Sequence, residues 1–175
     1  MEELSANFSH ELLATAVSIT EMAVSERIGC SIVLDPRDPP TVLSGHLLES
    51  PLPPADKQLL LGMASIDGAV QIDRKGSLIA FGCLLDGMST GRDEVRSRGS
   101  RYNSARRFVM QKGNEEMGVI IVSSDGPVSF FAEGREKFSD PWYRPAKELK
   151  PRLALLPWRT ESDFRRDRKA KREST

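Results

Sequence analysis

Asp67-Gly68-Ala69-Val70-Gln71-Ile72-Asp73-Arg74-Lys75-Gly76-Ser77-Leu78-Ile79-Ala80-Phe81-Gly82-Cys83 reads as strand, turn, strand. Ala69–Ile72 and Ser77–Leu84 are the two apolar arms. Asp73-Arg74-Lys75-Gly76 supplies the turn, with a glycine free to take positive φ. Upstream, Cys30-Ser31-Ile32-Val33-Leu34 is a short run rich in β-branched residues, ended by Asp35-Pro36, and predicts a buried strand. Residues 9–28 precede it. They place Leu12, Leu13, Ala16, Ile19, Ala23 and Val24 on one face of an amphipathic helix, with Ser9 as its N-cap and Gly29 at its end.

Between these elements, Asp35–Pro40 contains Pro36, Pro39 and Pro40 and must be a loop. Val42–His46 predicts a short strand, Ser50–Pro54 a break, and Ala55–Ala64 a helix. Gly87–Gly99 is polar and charged and reads as an exposed loop. Downstream come a helix over Ser104–Gln111, a strand over Val119–Ser123, a turn at Ser124-Asp125-Gly126-Pro127 and a partner strand over Val128–Ala132. Helices alternate with strands early and hairpins follow later. That order predicts an α/β fold, a mixed twisted β-sheet with helices packed around it, in a single domain. The domain is expected over residues 9–145, with a tail at 1–8 and an extension at 146–175. Trp142, Tyr143 and Trp158 read as residues that pack over the core. Phe164–Arg172 is strongly basic and reads as a solvated or frayed end.

The bulk numbers fit one ordinary globular domain. The chain has 175 residues, 39% of them hydrophobic and 29% charged. Its net charge is zero, so no global attraction to nucleic acid is expected. No run approaches the ~18 apolar residues of a membrane span, and Met1–His10 carries Glu2 and Glu3 with no basic start. A cytoplasmic protein without membrane contact is the expectation. Cys30 and Cys83 each sit in an apolar run and read as buried free thiols in a reducing compartment. His10 and His46, the two histidines, neighbour no nucleophile motif. There is no clustered Cys/His spacing for zinc and no Walker-type glycine loop.

Three stretches have the composition of a ligand site. In Asp67-Gly68-Ala69, a carboxylate that can bind a hard cation stands beside a glycine that lets backbone approach closely; an Asp-Gly turn explains the same letters. Gly99-Ser100-Arg101-Tyr102-Asn103-Ser104-Ala105-Arg106-Arg107 leads a hydroxyl and guanidinium groups into a helix start, where N–H groups and Arg forks suit phosphate; a capped helix with a solvated basic face is the plainer account. Ser123-Ser124-Asp125-Gly126 ends a strand with hydroxyls and a carboxylate, or is simply a hairpin turn.

In this order and spacing, the three stretches together resemble the diadenylate cyclase (DAC) family, the nucleotide-binding domain of the DNA integrity scanning protein and its relatives. The resemblance covers about residues 10–140. Asp67-Gly68-Ala69 matches the family's first signature in full. Gly99-Ser100-Arg101-Tyr102-Asn103 stands for its Gly-Thr-Arg-His-Arg, and Val119–Ser123 with Ser124-Asp125 is similar to its third. Tyr102 thus replaces a histidine and Asn103 an arginine, and Ile66 stands where many members have histidine. Arg106 and Arg107, one turn on, are candidates to restore the charge.

The resemblance implies binding of ATP and condensation of two ATP to cyclic di-AMP and pyrophosphate, with Mg²⁺ or Mn²⁺, across a face-to-face homodimer. It implies a catalytic role for Asp67 and Arg101, with Asp67 holding metal and orienting the attacking hydroxyl. Nucleotide contacts are implied for Gly68, Ala69, Gly99, Ser100, Arg101, Tyr102, Asn103 and Ser123, and a second metal ligand at Asp125. The changes at Tyr102 and Asn103 leave a nucleotide sensor on the same fold as the alternative. A nucleic-acid-binding module rests on the basic tail alone.

Overall fold

The computed structural model describes residues 8–85, 95 and 97–140. In chain order these form α1 (His10–Ser25), β1 (Cys30–Leu34), β2 (His46–Leu52), α2 (Lys57–Ala64), β3 (Ala69–Ile72), β4 (Leu78–Cys83), α3 (Ser100–Met110), β5 (Gly118–Val122), β6 (Val128–Ala132) and β7 (Arg135–Asp140). The strands make one sheet in the order β2-β4-β3-β1-β5-β6-β7. β1 and β3 run parallel, and every other neighbouring pair is antiparallel. This is the mixed α/β sheet expected from the sequence.

β1 lies at the centre because all five of its residues are buried. A strand covered on both faces needs a continuous apolar run rather than an alternating one. Ile32 and Leu34 face α1 and α2, together with Val70, Ile72, Ile120 and Val122. Val33 points the other way and shares the α3 side with Ala69, Val119, Ile121 and Phe131. The two-residue repeat of the strands therefore divides the apolar side chains into two cores, one per face.

Local chemistry holds the first helix to the sheet. The Leu12 N–H donates to Ser9 Oγ at 3.2 Å, capping α1. The Ser9 hydroxyl in turn donates to the Arg74 carbonyl in the β3–β4 turn. Gly76 closes that turn at φ +77°, and a Cβ there would lie 2.5 Å from Thr15 Oγ1 and 2.6 Å from the Glu11 carbonyl oxygen. Phe8, placed with the N-terminal tail by its sequence position, is buried, its ring edge-on to Phe130 at 6.2 Å.

The loop after β1 is organised around one buried carboxylate. Asp35 Oδ1 accepts from Arg37 Nε at 2.8 Å, and Oδ2 accepts from Arg37 Nη2 at 3.0 Å, the Thr41 N–H at 2.8 Å and Gln71 Nε2 at 3.0 Å. Arg37 Nη1 also donates to the Gly113 carbonyl at 3.1 Å, so the loop reaches from β3 to the segment behind α3.

Two edges differ from the sequence expectation. The strand expected at Val42–His46 runs instead over His46–Leu52 and includes Pro51. β2 is an edge strand with an irregular register between Leu47 and Leu52, and there a missing N–H is tolerated. β7 was not expected. Arg-Glu-Lys-Phe-Ser-Asp has no apolar run, because this edge strand leaves Arg135 and Glu136 exposed. The Phe164–Arg172 tail, Trp142, Tyr143, Trp158 and most of the Gly87–Gly99 loop lie outside the described residues. Among the described residues no helix is long and apolar enough to cross a membrane.

Asp35→Ala takes the acceptor from the Thr41 N–H and from one N–H of the Gln71 amide, whose other bond goes to the Thr41 carbonyl, and leaves the Arg37 guanidinium without its carboxylate. The expected cost is about 3 kcal/mol. It is read as a lower urea midpoint with an unchanged denaturant slope.

Candidate functional site

Strand register brings the three sequence stretches to one rim of the sheet. β1 and β3 are parallel with Ser31 opposite Ala69, so both strands begin at the same edge. β5 is antiparallel to β1 with Cys30 opposite Val122, so β5 ends where β1 begins. Gly29, Asp67-Gly68 and Ser123-Ser124 therefore stand side by side. α3 lies over one face of the sheet, and its first turn comes to this rim.

Arg101, in that first turn, ties the stretches together. Its Nη2 is 4.0 Å from Asp67 Oδ1. A Cβ on Gly29 would lie 3.1 Å from Arg101 Nη1 and 3.4 Å from the Ser124 backbone nitrogen. The lack of a side chain at Gly29 is what lets the guanidinium settle there. Asp67 is fully exposed, so this contact is a loose, solvated ion pair. Such pairs are worth roughly 0–1 kcal/mol, and the Arg101 fork stays available to a ligand.

A cleft of about 350 Å³ opens beside Arg101, within the ~300–1,000 Å³ range of small-ligand pockets. One wall is Ser97 to Tyr102 at the start of α3. The other is Ile121 to Asp125 with Pro127 and Ser129, from the end of β5 and the start of β6. α3 starts at Gly99 with no side-chain cap on its first amides. Hydroxyls, two guanidinium groups and uncapped helix N–H groups thus share one concavity, a donor set suited to phosphate oxygens. Asp125 is the exception. Its exposed carboxyl is held below the usual range, first by the Ser123 hydroxyl and then by its own backbone N–H, so it stays ionised. An anion beside anion-binding donors suits a bridging cation.

Several residues singled out in the sequence do something else here as well. Gly68 adopts φ +100°, and a Cβ on it would sit 2.6 Å from the Gly82 carbonyl carbon. Its lack of a side chain is required by the neighbouring strand. Ala69 is buried in the α3-side core. Tyr102 lines the cleft, but its hydroxyl donates to Glu136 Oε2 at 2.7 Å and the ring meets Phe131 edge-on at 5.0 Å. Asn103 does not line the cleft. Its Oδ1 accepts from the Val95 N–H at 2.9 Å, and its Nδ2 donates to the Arg98 carbonyl at 3.1 Å and to those of Val95 and Gly99 at 3.3 Å. It ties the loop before α3 to the helix.

Sequence reasoning missed Ser97, Arg98 and Ser129, all on the cleft wall. The 97–99 segment reads as charged loop, and its relation to β6 and β7 is a long-range contact with no local signal. Both thiols are buried as expected. Burial pushes Cys30 up to about 12, with the Arg101 guanidinium pulling the other way, and Cys83 up to about 11, so neither is a thiolate at neutral pH. Among the described residues no group of three or more His, Cys, Asp or Glu could hold a metal unaided.

Burial, then the Glu136 carboxylate, pushes the Tyr102 hydroxyl up to about 12. An unfolded tyrosine ionises near 10. The folded state therefore favours the neutral phenol. Its contribution to stability is complete below pH ~10 and is lost as pH rises toward 12. In a Tyr143→Phe background, phenolate absorbance should appear well above pH 10, and Glu136→Gln should move it back down.

A family profile for the DAC domain, described as DisA bacterial checkpoint controller nucleotide-binding, matches residues 17–136. Among solved structures, DacA from Staphylococcus aureus, in a form carrying two introduced cysteines, aligns with a TM-score of 0.59 at 22% identity, covering 85% of this chain and 96% of that one. A hypothetical membrane spanning protein from Bacillus cereus aligns with a TM-score of 0.55 at 17% identity. That alignment covers 69% of this chain and only 59% of the other. No curated protein matches. At these identities the two structures speak for the fold, whereas the profile spans every stretch that builds the rim: the chain belongs to the DAC family of nucleotide-binding domains.

Proposed function

We propose that this domain binds ATP in the cleft between α3 and β5 and, as one half of a face-to-face pair, condenses two ATP into cyclic di-AMP and pyrophosphate. The observation that supports this best is the meeting at one rim of the Asp67 carboxylate, the Arg101 guanidinium 4.0 Å away and the Ser123-Ser124 strand end. Phosphoryl transfer needs positioning and charge stabilisation more than covalent help from the protein, and that is what these groups can supply.

In the proposed reaction the 3′-hydroxyl of one nucleotide attacks the α-phosphorus of the other. A new P–O bond forms, the α–β bridging bond breaks, pyrophosphate leaves, and the hydroxyl proton passes to solvent. A second such attack closes the ring. Asp67 accepts a hydrogen bond from the attacking hydroxyl, which its exposed position on the rim allows across a pair of domains. Arg101, the Ser100 hydroxyl and the first N–H groups of α3 hold phosphate oxygens, and Ser123 contacts the terminal phosphate. Gly68, Ala69 and Gly99 bring backbone to the nucleotide beside the Tyr102 ring, and Asn103 keeps the loop before α3 in place.

The separate carboxylates of Asp67 and Asp125 fit a cation that takes most of its ligands from phosphates and water, as Mg²⁺ or Mn²⁺ does on a nucleotide. When bound, that ion neutralises the triphosphate. The cellular ATP pool places such a reaction in the cytoplasm.

A nucleotide sensor on the same fold is the alternative. It is favoured by the commitment of Tyr102 to Glu136 and of Asn103 to the loop, which leaves fewer donors facing the cleft.

Purified protein with ATP and Mg²⁺ or Mn²⁺ is expected to yield cyclic di-AMP on chromatography. Asp67→Ala should lower the rate by roughly 10²–10³-fold or more, with an unchanged melting temperature because Asp67 is exposed. ATP binding without product assigns the sensor role, and absence of both rejects the nucleotide assignment.

A further inference from the structure

The cleft carries two guanidinium groups, Arg101 and Arg98. Arg98 lies outside the sequence stretch that begins at Gly99, yet its mounting is the more elaborate. Its guanidinium carbon lies 4.9 Å from the centroid of the Tyr102 ring. Its Nη2 donates to Ser139 Oγ at 2.9 Å, and Ser139 Oγ is 3.2 Å from Ser129 Oγ on the opposite wall. The Tyr102 ring is itself fixed, edge-on to Phe131 and bonded through its hydroxyl to Glu136. The Arg98 carbonyl is held by the Asn103 amide. The backbone, the position over the ring and one edge of this side chain are therefore all specified. An arginine has five N–H donors, and the Ser139 bond uses one of them. Among the described residues no carboxylate forms a salt bridge with it.

The geometry points to Arg98 as a second phosphate-binding guanidinium of this cleft, aimed by Tyr102 and Ser139, that selects nucleoside triphosphates over ligands with fewer phosphates. This rests on the nucleotide assignment above and deepens it. Two guanidinium groups on one concave wall match a chain of several phosphates better than a single one. Its seat over the Tyr102 ring and its bond to Ser139 hold the fork in place, so less freedom is lost when it binds. Tyr102 then acts as the support for an arginine from the preceding loop, and β7, an edge strand, reaches the site through Ser139 and Glu136.

The test uses 3′-deoxyATP with Mg²⁺, which lacks the attacking hydroxyl and cannot cyclise, and 3′-deoxyadenosine, which has the same base and sugar without phosphate. Affinities for both are measured by NMR shift titration on wild type, Arg98→Met and Arg101→Met. Arg98→Met is expected to weaken the triphosphate by roughly 10- to 100-fold and leave the nucleoside within about twofold. If Arg98→Met melts well below wild type, Ser139→Ala takes its place, with a smaller loss confined to the triphosphate. Equal weakening of both ligands, or of neither while Arg101→Met loses the triphosphate alone, overturns the role of Arg98 and leaves the nucleotide assignment standing. Failure of wild type to bind either ligand overturns the nucleotide assignment itself, and Arg98 with it.

Discussion

β1 is hydrogen-bonded to β3 on one side and to β5 on the other, and the direction of those two pairings decides where chemistry can occur. A parallel neighbour shares its starting edge, and an antiparallel neighbour finishes there. Two loops from distant parts of the sequence and the end of α1 are thereby brought to one rim. If β3 instead ran antiparallel to β1, Asp67 would lie at the far edge of the sheet. The pairing is specified by burial. A five-residue strand enclosed on both faces has no polar side to tolerate slippage, and a one-residue shift would exchange the two cores.

Around that rim the protein separates rigid parts from open ones. Asp35 and its donors fix the loop after β1, Asn103 fixes the loop before α3, and Tyr102 with Glu136 joins α3 to the edge strand β7. The groups left facing outward are short or charged: Asp67, Ser100, Arg101, Ser124 and Asp125. A phosphate site has this character, because donors held by a packed frame need little reorganisation when charge arrives. The exposure of Asp67 makes further sense if a second domain meets this face, since one copy holds only half of the reacting groups in the proposed condensation.

Three inner strands were legible in the sequence to the residue, whereas β4 and β5 differ from the expected bounds by one residue at each end. Cys30–Leu34, Ala69–Ile72 and Val128–Ala132 are mostly apolar runs, because burial on both faces leaves room for only one polar residue in each, Ser31, Gln71 and Ser129. The edges were not legible. β2 carries a proline and exposed side chains, and β7 is mostly charged or polar, because a strand with one neighbour is under weaker selection for burial and pairing. α3 begins at Ser100, four residues ahead of the helix expected at Ser104, since Gly99, Ser100 and Asn103 are all residues that loops favour. At the rim, the motif letters singled out Asp67, Arg101 and Ser123, which the strand pairings and the first turn of α3 bring side by side. They did not reveal that Gly68 answers to Gly82, that Asn103 serves the loop, or that Arg98 stacks on Tyr102. Each of those depends on a partner that local sequence patterns do not indicate.

In the proposed function three separate stretches form one nucleotide site, two of them lining the cleft and Asp67-Gly68-Ala69 standing on the rim beside it. Hydrogen–deuterium exchange with and without ATP and Mg²⁺ reads all three at once. The account predicts slowed exchange in peptides covering residues 67–69, 97–103 and 122–125 together, with α1 and the β3–β4 turn unchanged. Protection confined to another surface, or to one of these stretches without the others, would contradict it.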